Sequence, residues 1–244
     1  MGQPQQDCCT QQRARFPAGR LIALFALSLA SPLVIAEDRL ALGGLEYSGA
    51  GSYAYAGVIM PLAQQPSDSR FVQKYWLDWL TYNYDKDSQQ IDATAAGLEA
   101  SLGYQVAGKQ GWAGLYIGGV VRNTDLSPDD PGNGARGTKL RLKLQADGEL
   151  TPQHWRLAGI AAYIAGQNAF WLRARALHDL GAHLWTGPEL IYQGDPTYRR
   201  TQLGWVIEGF KLGSGLTLGI KAGASKNEGE STHAYIGLEI ARWF

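Results

Sequence analysis

From about Leu40 to the C-terminus the chain repeats one pattern. Segments of about ten residues carry alternating apolar and polar side chains and end at Gly, Pro, Asn or Asp turn signals. A side-chain period of two belongs to a β-strand, and a tilted strand of about 9–11 residues crosses a bilayer. In Thr138 to Asp147, Leu140, Leu142, Leu144 and Ala146 share one face, with Lys139, Arg141, Lys143, Gln145 and Asp147 on the other. Phe170, Leu172, Ala174 and Ala176 oppose Trp171, Arg173 and Arg175. Leu98, Ala100, Leu102 and Tyr104 oppose Glu99, Ser101 and Gln105, and Leu216, Leu218 and Ile220 oppose Thr217 and Lys221. At the end of the chain, Ile236, Leu238, Ile240 and Phe244 oppose Gly237, Glu239 and Ala241. A last strand of this kind with a terminal Phe looks like the assembly signal of outer-membrane proteins.

A soluble sandwich alternates in the same way, with its apolar face inward. Two features favour lipid instead. The strands number about 12, near 40–48, 52–61, 71–85, 91–106, 111–123, 138–147, 154–164, 169–178, 183–193, 198–212, 216–224 and 231–244. Ten is the alternative, because the first segment is the least regular. The connections also read as alternately short and long. With the N-terminus on the periplasmic side, Ala107–Lys109, Gly181 and Gly213–Gly215 fall at periplasmic turns, and the longest loop, Asn123 to Gly137, falls outside. The expected fold is all-β: one antiparallel transmembrane β-barrel over 37–244, with neither internal repeat nor linker.

Residues 1–36 read as a signal peptide. Arg13, Arg15 and Arg20 precede the apolar run Leu21 to Ala30, Ser31-Pro32 breaks it, and Val34-Ile35-Ala36 supplies the small residues of a cleavage site before Glu37. The competing reading, a single membrane anchor, needs about 20 apolar residues, more than this interrupted run provides. Cleavage removes both cysteines, Cys8 and Cys9, and with them any disulfide, thiolate metal site or thiol nucleophile. It leaves 19 basic against 21 acidic residues, a balance that gives no support for binding nucleic acid. The 31 Gly, 8 Trp and 12 Tyr, with only 18% charged residues, suit a barrel with aromatic girdles. The expected location is the outer membrane of a Gram-negative cell, in contact with its lipid.

Several stretches, taken in order, carry a family resemblance. They are Gly44-Leu45-Glu46-Tyr47-Ser48, the aromatic strand Tyr75 to Tyr84, and Arg122-Asn123-Thr124-Asp125-Leu126-Ser127-Pro128-Asp129-Asp130-Pro131 with Asn133 and Arg136-Gly137. Gly187-Pro188-Glu189, Gln193-Gly194 and Tyr198-Arg199-Arg200 follow. Together they resemble the cellulose biosynthesis protein BcsS family. The resemblance implies an outer-membrane barrel tied to production or export of cellulose or another exopolysaccharide, with other secretion components as partners. It supplies no catalytic residues.

Charge on the inward faces is the main chemical signal. Lys139, Arg141 and Lys143 on one strand, with Arg173 and Arg175 two strands on, make a basic wall, and Glu99, Glu189, Glu208 and Glu239 are expected inward too. Unpaired charge in a narrow lumen is costly, so these groups must be paired or hydrated. Either they form an ionic plug in place of a hydrophobic core, or they line a polar conduit for a hydrophilic polymer. Trp112, Tyr116, Trp171 and Trp243 lie on the polar faces. They are either packing and girdle residues or faces on which sugar rings stack.

Three other constellations are weaker. Asp125, Asp129, Asp130 and Asn133 offer hard-cation oxygens without EF-hand spacing, in a loop that Pro128, Pro131, Gly132 and Gly134 mark as turn-rich. His178, Asp179 and His183 bracket a turn. Ser231 and His233, with Glu228 or Glu230, fall at an expected outer rim, where an outer-membrane lipid hydrolase would hold its pair. No Gly-x-Ser-x-Gly elbow, HExxH or P-loop accompanies them, and no cofactor motif is present. The expected function is a non-enzymatic barrel component of cellulose biosynthesis or secretion. The alternatives are the lipid hydrolase and a structural barrel that anchors a secretion complex.

Overall fold

The computed structural model describes residues 39–63, 69–87, 89–196, 198–213 and 215–244. The expected leader lies outside the described residues. Twelve strands follow in order: β1 (Leu40–Ser48), β2 (Gly51–Pro61), β3 (Ser69–Lys86), β4 (Gln89–Gly108), β5 (Gly111–Ser127) and β6 (Gly137–Leu150) come first. Then come β7 (Trp155–Ile164), β8 (Ala169–Gly181), β9 (Leu184–Asp195), β10 (Tyr198–Leu212), β11 (Leu216–Asn227) and β12 (Thr232–Trp243). Each pairs antiparallel with its sequence neighbour, and β12 returns to β1 from Leu40↔Trp243 to Ser48↔Tyr235. Reciprocal hydrogen bonds between the backbones of Arg39 and Phe244, 3.2 and 3.0 Å, continue that seam. The barrel is closed, so no strand edge is left to pair with another chain.

All twelve segments expected from the alternation are strands. One feature of the connections is corrected. They do not alternate short and long, because chain expected in the outer loop is spent on strand. β5 runs on to Ser127, held by pairing to Asp92, and the loop shrinks to 128–136. That loop lies at the end opposite the termini, while the turns at 109–110 and 182–183 and the one between Leu212 and Leu216 lie at the termini's end, as expected.

The outer surface is apolar. Leu140 is 76% exposed and Leu115 70%, and Leu45, Leu98, Leu142, Leu203, Trp205 and Ile236 stand out around the wall. So large an apolar belt does not suit water, whereas a closed barrel satisfies every ladder hydrogen bond within hydrocarbon. β3, β4 and β5, with 18, 20 and 17 residues, exceed the crossing length. Their ends away from the termini carry exposed Asn83, Asp85, Gln90, Asp92, Asn123 and Asp125 outward, so this stretch projects beyond the belt.

Candidate functional site

Alternation that sends Leu outward sends charge inward. A cavity of about 1990 Å³ runs through the barrel interior, lined from both rims: Lys211 and Trp243 at the termini's end, Asp130 and Glu230 at the other.

Two ion-pair networks occupy its walls. In the larger, Arg175 on β8 reaches Glu189 on β9, Glu208 on β10 and Glu239 on β12 at 2.5, 3.2 and 2.7 Å. Lys221 on β11 joins Glu46 (2.8 Å), Glu189 (3.4 Å) and Glu239 (3.6 Å). Arg173 adds to Glu239, Arg156 bridges Glu149 and Glu208, and Arg200 lies 3.6 Å from Glu46. Glu189 is fully buried, a position tolerable for a carboxylate only because two cations share it. In the smaller network, Glu99 on β4 is held by Lys74 on β3 (3.1 Å) and Lys143 on β6 (2.5 Å), with Ser101 donating to it at 2.9 Å. Lys74 also donates to Gln145 at 2.6 Å, and Arg122 pairs with Asp78 at 2.7 Å.

These contacts sort the expected site residues. Lys143, Arg173 and Arg175 face inward and belong to ion pairs. Lys139 and Arg141 do not: Lys139 is exposed at the mouth, and Arg141 donates to the carbonyl of Gly134 at 3.1 Å. The basic wall is therefore mostly neutralised, and among the described residues Lys139 and Arg141 at its outer end join no ion pair. Tyr116 is buried against Gly103 and accepts from Gln105 at 2.8 Å. Trp171 lines the cavity with the Arg173 guanidinium 5.5 Å from its ring, and Trp112 is half-buried near the termini's end of β5.

Sequence reasoning missed the aromatic lining of β2 and β3. Tyr53, Tyr55, Trp76, Tyr82 and Tyr84 all line the cavity. Their strands bear apolar side chains on both faces, Tyr75, Leu77 and Trp79 outward on β3, so polarity could not tell inside from outside. The signal was in the register: Asp78 and Lys74 are the polar members of β3's inward parity, and they carry Trp76 and Tyr82 with them.

Loop 128–136 folds against the mouth. Asp130 keeps only 6% of its surface exposed and accepts from Lys86 Nζ (2.7 Å), Tyr84 Oη (2.9 Å) and the Gly132 amide (3.0 Å). Asn133 donates to the same Tyr84 oxygen at 2.8 Å. The Lys86 hydrogen bond holds the Asp130 carboxyl below the usual carboxylate range, against desolvation. Asp129 pairs separately with Arg136, and Asn123 donates to Asp125, so these carboxylates do not converge on one point. At the same rim Ser231 Oγ lies 3.4 Å from His233 Nε2. Asn227 takes the Glu230 carboxylate at 2.8 Å, and among the described residues no carboxylate hydrogen-bonds His233.

Comparison with known proteins adds the family. The model of the family "cellulose biosynthesis protein BcsS" matches residues 40–244, the whole barrel. The chain belongs to the BcsS family. No curated protein matches its sequence. Among solved structures, the BcsS-family barrel is similar to an outer membrane channel from Pseudomonas putida F1, with 12% identity, a TM-score of 0.58, and coverage of 86% of this chain and 97% of that one. It is also similar to the translocator domain of the autotransporter NalP from Neisseria meningitidis, with 9% identity, a TM-score of 0.53, and coverage of 86% and 90%. At such identities the likeness is one of fold: the BcsS-family barrel has the architecture of outer-membrane barrels.

Proposed function

We propose that the chain is exported by a signal peptide cleaved after Ala36 and works in the outer membrane as a non-enzymatic component of cellulose or exopolysaccharide biosynthesis or secretion. The observation that carries this reading is a lumen lined by polar and aromatic side chains inside an apolar belt, in a chain of a cellulose biosynthesis family. Such an interior suits contact with a hydrophilic polymer, and Lys139, Arg141, Lys143, Arg173, Arg175, Trp112, Tyr116 and Trp171 are its candidate contacts. Outer-membrane lipid surrounds the belt, and other secretion components are the natural protein partners.

Deleting the gene and complementing it tests this reading. Calcofluor-stained cellulose should fall and return, the complementing protein should fractionate with outer membranes, and its N-terminus should be Glu37. Unchanged cellulose, or recovery of the protein in the soluble periplasm, would refute the reading.

The second reading, a lipid hydrolase, has the Ser231–His233 approach in its favour. Among the described residues no carboxylate is placed to orient the imidazole. His233 Nδ1 instead lies against Gly49, 2.8 Å from where a Cβ there would stand.

A further inference from the structure

Three features of the lumen favour one class of ligand. The first is the aromatic wall. Tyr55 and Trp76 are stacked, with ring centroids 4.7 Å apart and planes at 11°, and Tyr53 lies 5.6 Å from Tyr55. Tyr82 and Tyr84 continue the series toward the mouth, 6.3 Å apart at 26°. Tyr55 and Trp76 lean over glycines of the neighbouring strand: a Cβ at Gly44 would stand 2.6 Å from Tyr55 Cε1, and one at Gly57 2.9 Å from Trp76 Cδ2. The pair therefore covers one face of each ring, seated over the glycines, and its remaining sides border the cavity. The second feature is β7, four and five strands round the wall from β3 and β2, which turns Ile160, Ala162 and Ile164 to the cavity. These are small or compact apolar groups that leave room and make no demand for charge.

The third feature is charge already spent. Lys74, Lys143, Arg156, Arg173, Arg175 and Lys221 are each held by a carboxylate of the barrel. An anionic polymer that drew on these six cations would have to break those pairs and leave buried carboxylates unpartnered, which is costly. A neutral polymer need not. A β-linked glucan ribbon carries its hydroxyls at the ring edges and presents C–H surface on both faces. Its faces match aromatic rings, and its edges match the ion-pair groups, whose remaining lone pairs and N–H bonds accept and donate.

We propose that the β2–β3 wall is a binding track for one chain of a neutral, β-linked glucan-type polysaccharide, with Tyr55, Trp76 and Tyr82 as its stacking faces. The inference rests on the cellulose-linked reading above and narrows it: the aromatic rings of β2 and β3, and not the basic wall of β6 and β8, make the principal contacts.

The test uses the full barrel purified in detergent, titrated with cellohexaose and with a hexameric oligogalacturonate by calorimetry. Each variant is first checked for folding by its faster migration when unboiled. Cellohexaose should bind and oligogalacturonate should bind more weakly. Trp76→Leu and Tyr82→Leu should each weaken cellohexaose about tenfold, a loss of roughly 1.4 kcal/mol, while Lys109→Gln, in an exposed turn away from the cavity lining, leaves it unchanged. Tyr82 stands nearer the mouth than the Tyr55–Trp76 stack, so Tyr82→Leu keeps the test alive if Trp76→Leu does not fold. Tighter binding of the anionic oligomer, loss through Arg141→Gln instead of the aromatic variants, or no cellohexaose binding by the folded wild type would each overturn the track. The gene deletion separates the two levels: reduced cellulose without oligosaccharide binding removes the track alone, and normal cellulose removes the broader reading.

Discussion

Arg175 on β8 and Glu239 on β12 meet across the lumen, with Nη2 2.7 and 2.9 Å from the two carboxylate oxygens, although three strands separate them along the wall. A contact of that reach ties distant parts of the wall together and takes over part of what a hydrophobic core does in a soluble protein. Removing one charge leaves the others buried and unbalanced. Arg175→Met should therefore cost about 3–5 kcal/mol, because fully buried Glu189 then keeps one cation among the described residues, Lys221 at 3.4 Å. The thermal midpoint of the unboiled-to-boiled gel transition should fall clearly. A midpoint equal to wild type would show that the network is dispensable.

Adjacent residues on β6 test the two faces. Leu142 points outward at 48% exposure, and Leu142→Arg should cost about 2–4 kcal/mol in lipid. Arg141 points inward and forms no salt bridge among the described residues, so Arg141→Leu should cost less than about 1 kcal/mol. Urea titration of both variants in lipid vesicles decides it; equal tolerance would mean that the faces are misassigned.

The latch at Asp130 is sensitive to pH in one direction. Its carboxyl titrates below the ordinary Asp value of about 3.9 because Lys86 binds the ionised form. The contribution is thus complete above that value and is lost as pH falls through the lower folded value. The loop should stay docked through neutral and mildly acidic pH and loosen only below about pH 4. Asp130→Asn should loosen it at every pH. Hydrogen exchange of loop amides such as Gly132 is the measurement, and a wild-type loop already exchanging freely at pH 6 would contradict the assignment.

Ser231→Ala and His233→Ala should leave both cellulose output and outer-membrane lipid composition unchanged, since a hydrolase would lose nearly all turnover with either residue. Lipid mass spectrometry beside calcofluor staining checks this. Altered lipid acylation in the His233→Ala strain, with cellulose intact, would establish the hydrolase instead.

Most of the architecture is legible in the sequence. From β4 to β12 the polar parity is marked often enough, by Glu99 and Ser101 on β4 or Lys139, Arg141 and Lys143 on β6, to fix both strand and face. On β2 and β3 it is not, and the aromatic lining stayed hidden there. Which charges pair was also illegible. Arg173 and Arg175 sit on one strand, but their partner Glu239 is supplied by the closure of the barrel. Period-two alternation specifies a face and says nothing of which walls meet across a lumen. The length of β5 escaped for a related reason: beyond the lipid belt, Asn123 and Asp125 face water on an ordinary ladder, and polarity there resembles a loop.

The unequal strands make the rim oblique. β1 and β2 stop after 9 and 11 residues, whereas β3 to β5 continue as a parapet with a polar outer surface, its inner side sheathed by loop 128–136. Anything leaving by that mouth meets a standing wall on one flank and open water on the other. A polymer that passed this mouth would therefore be turned sideways, away from the parapet.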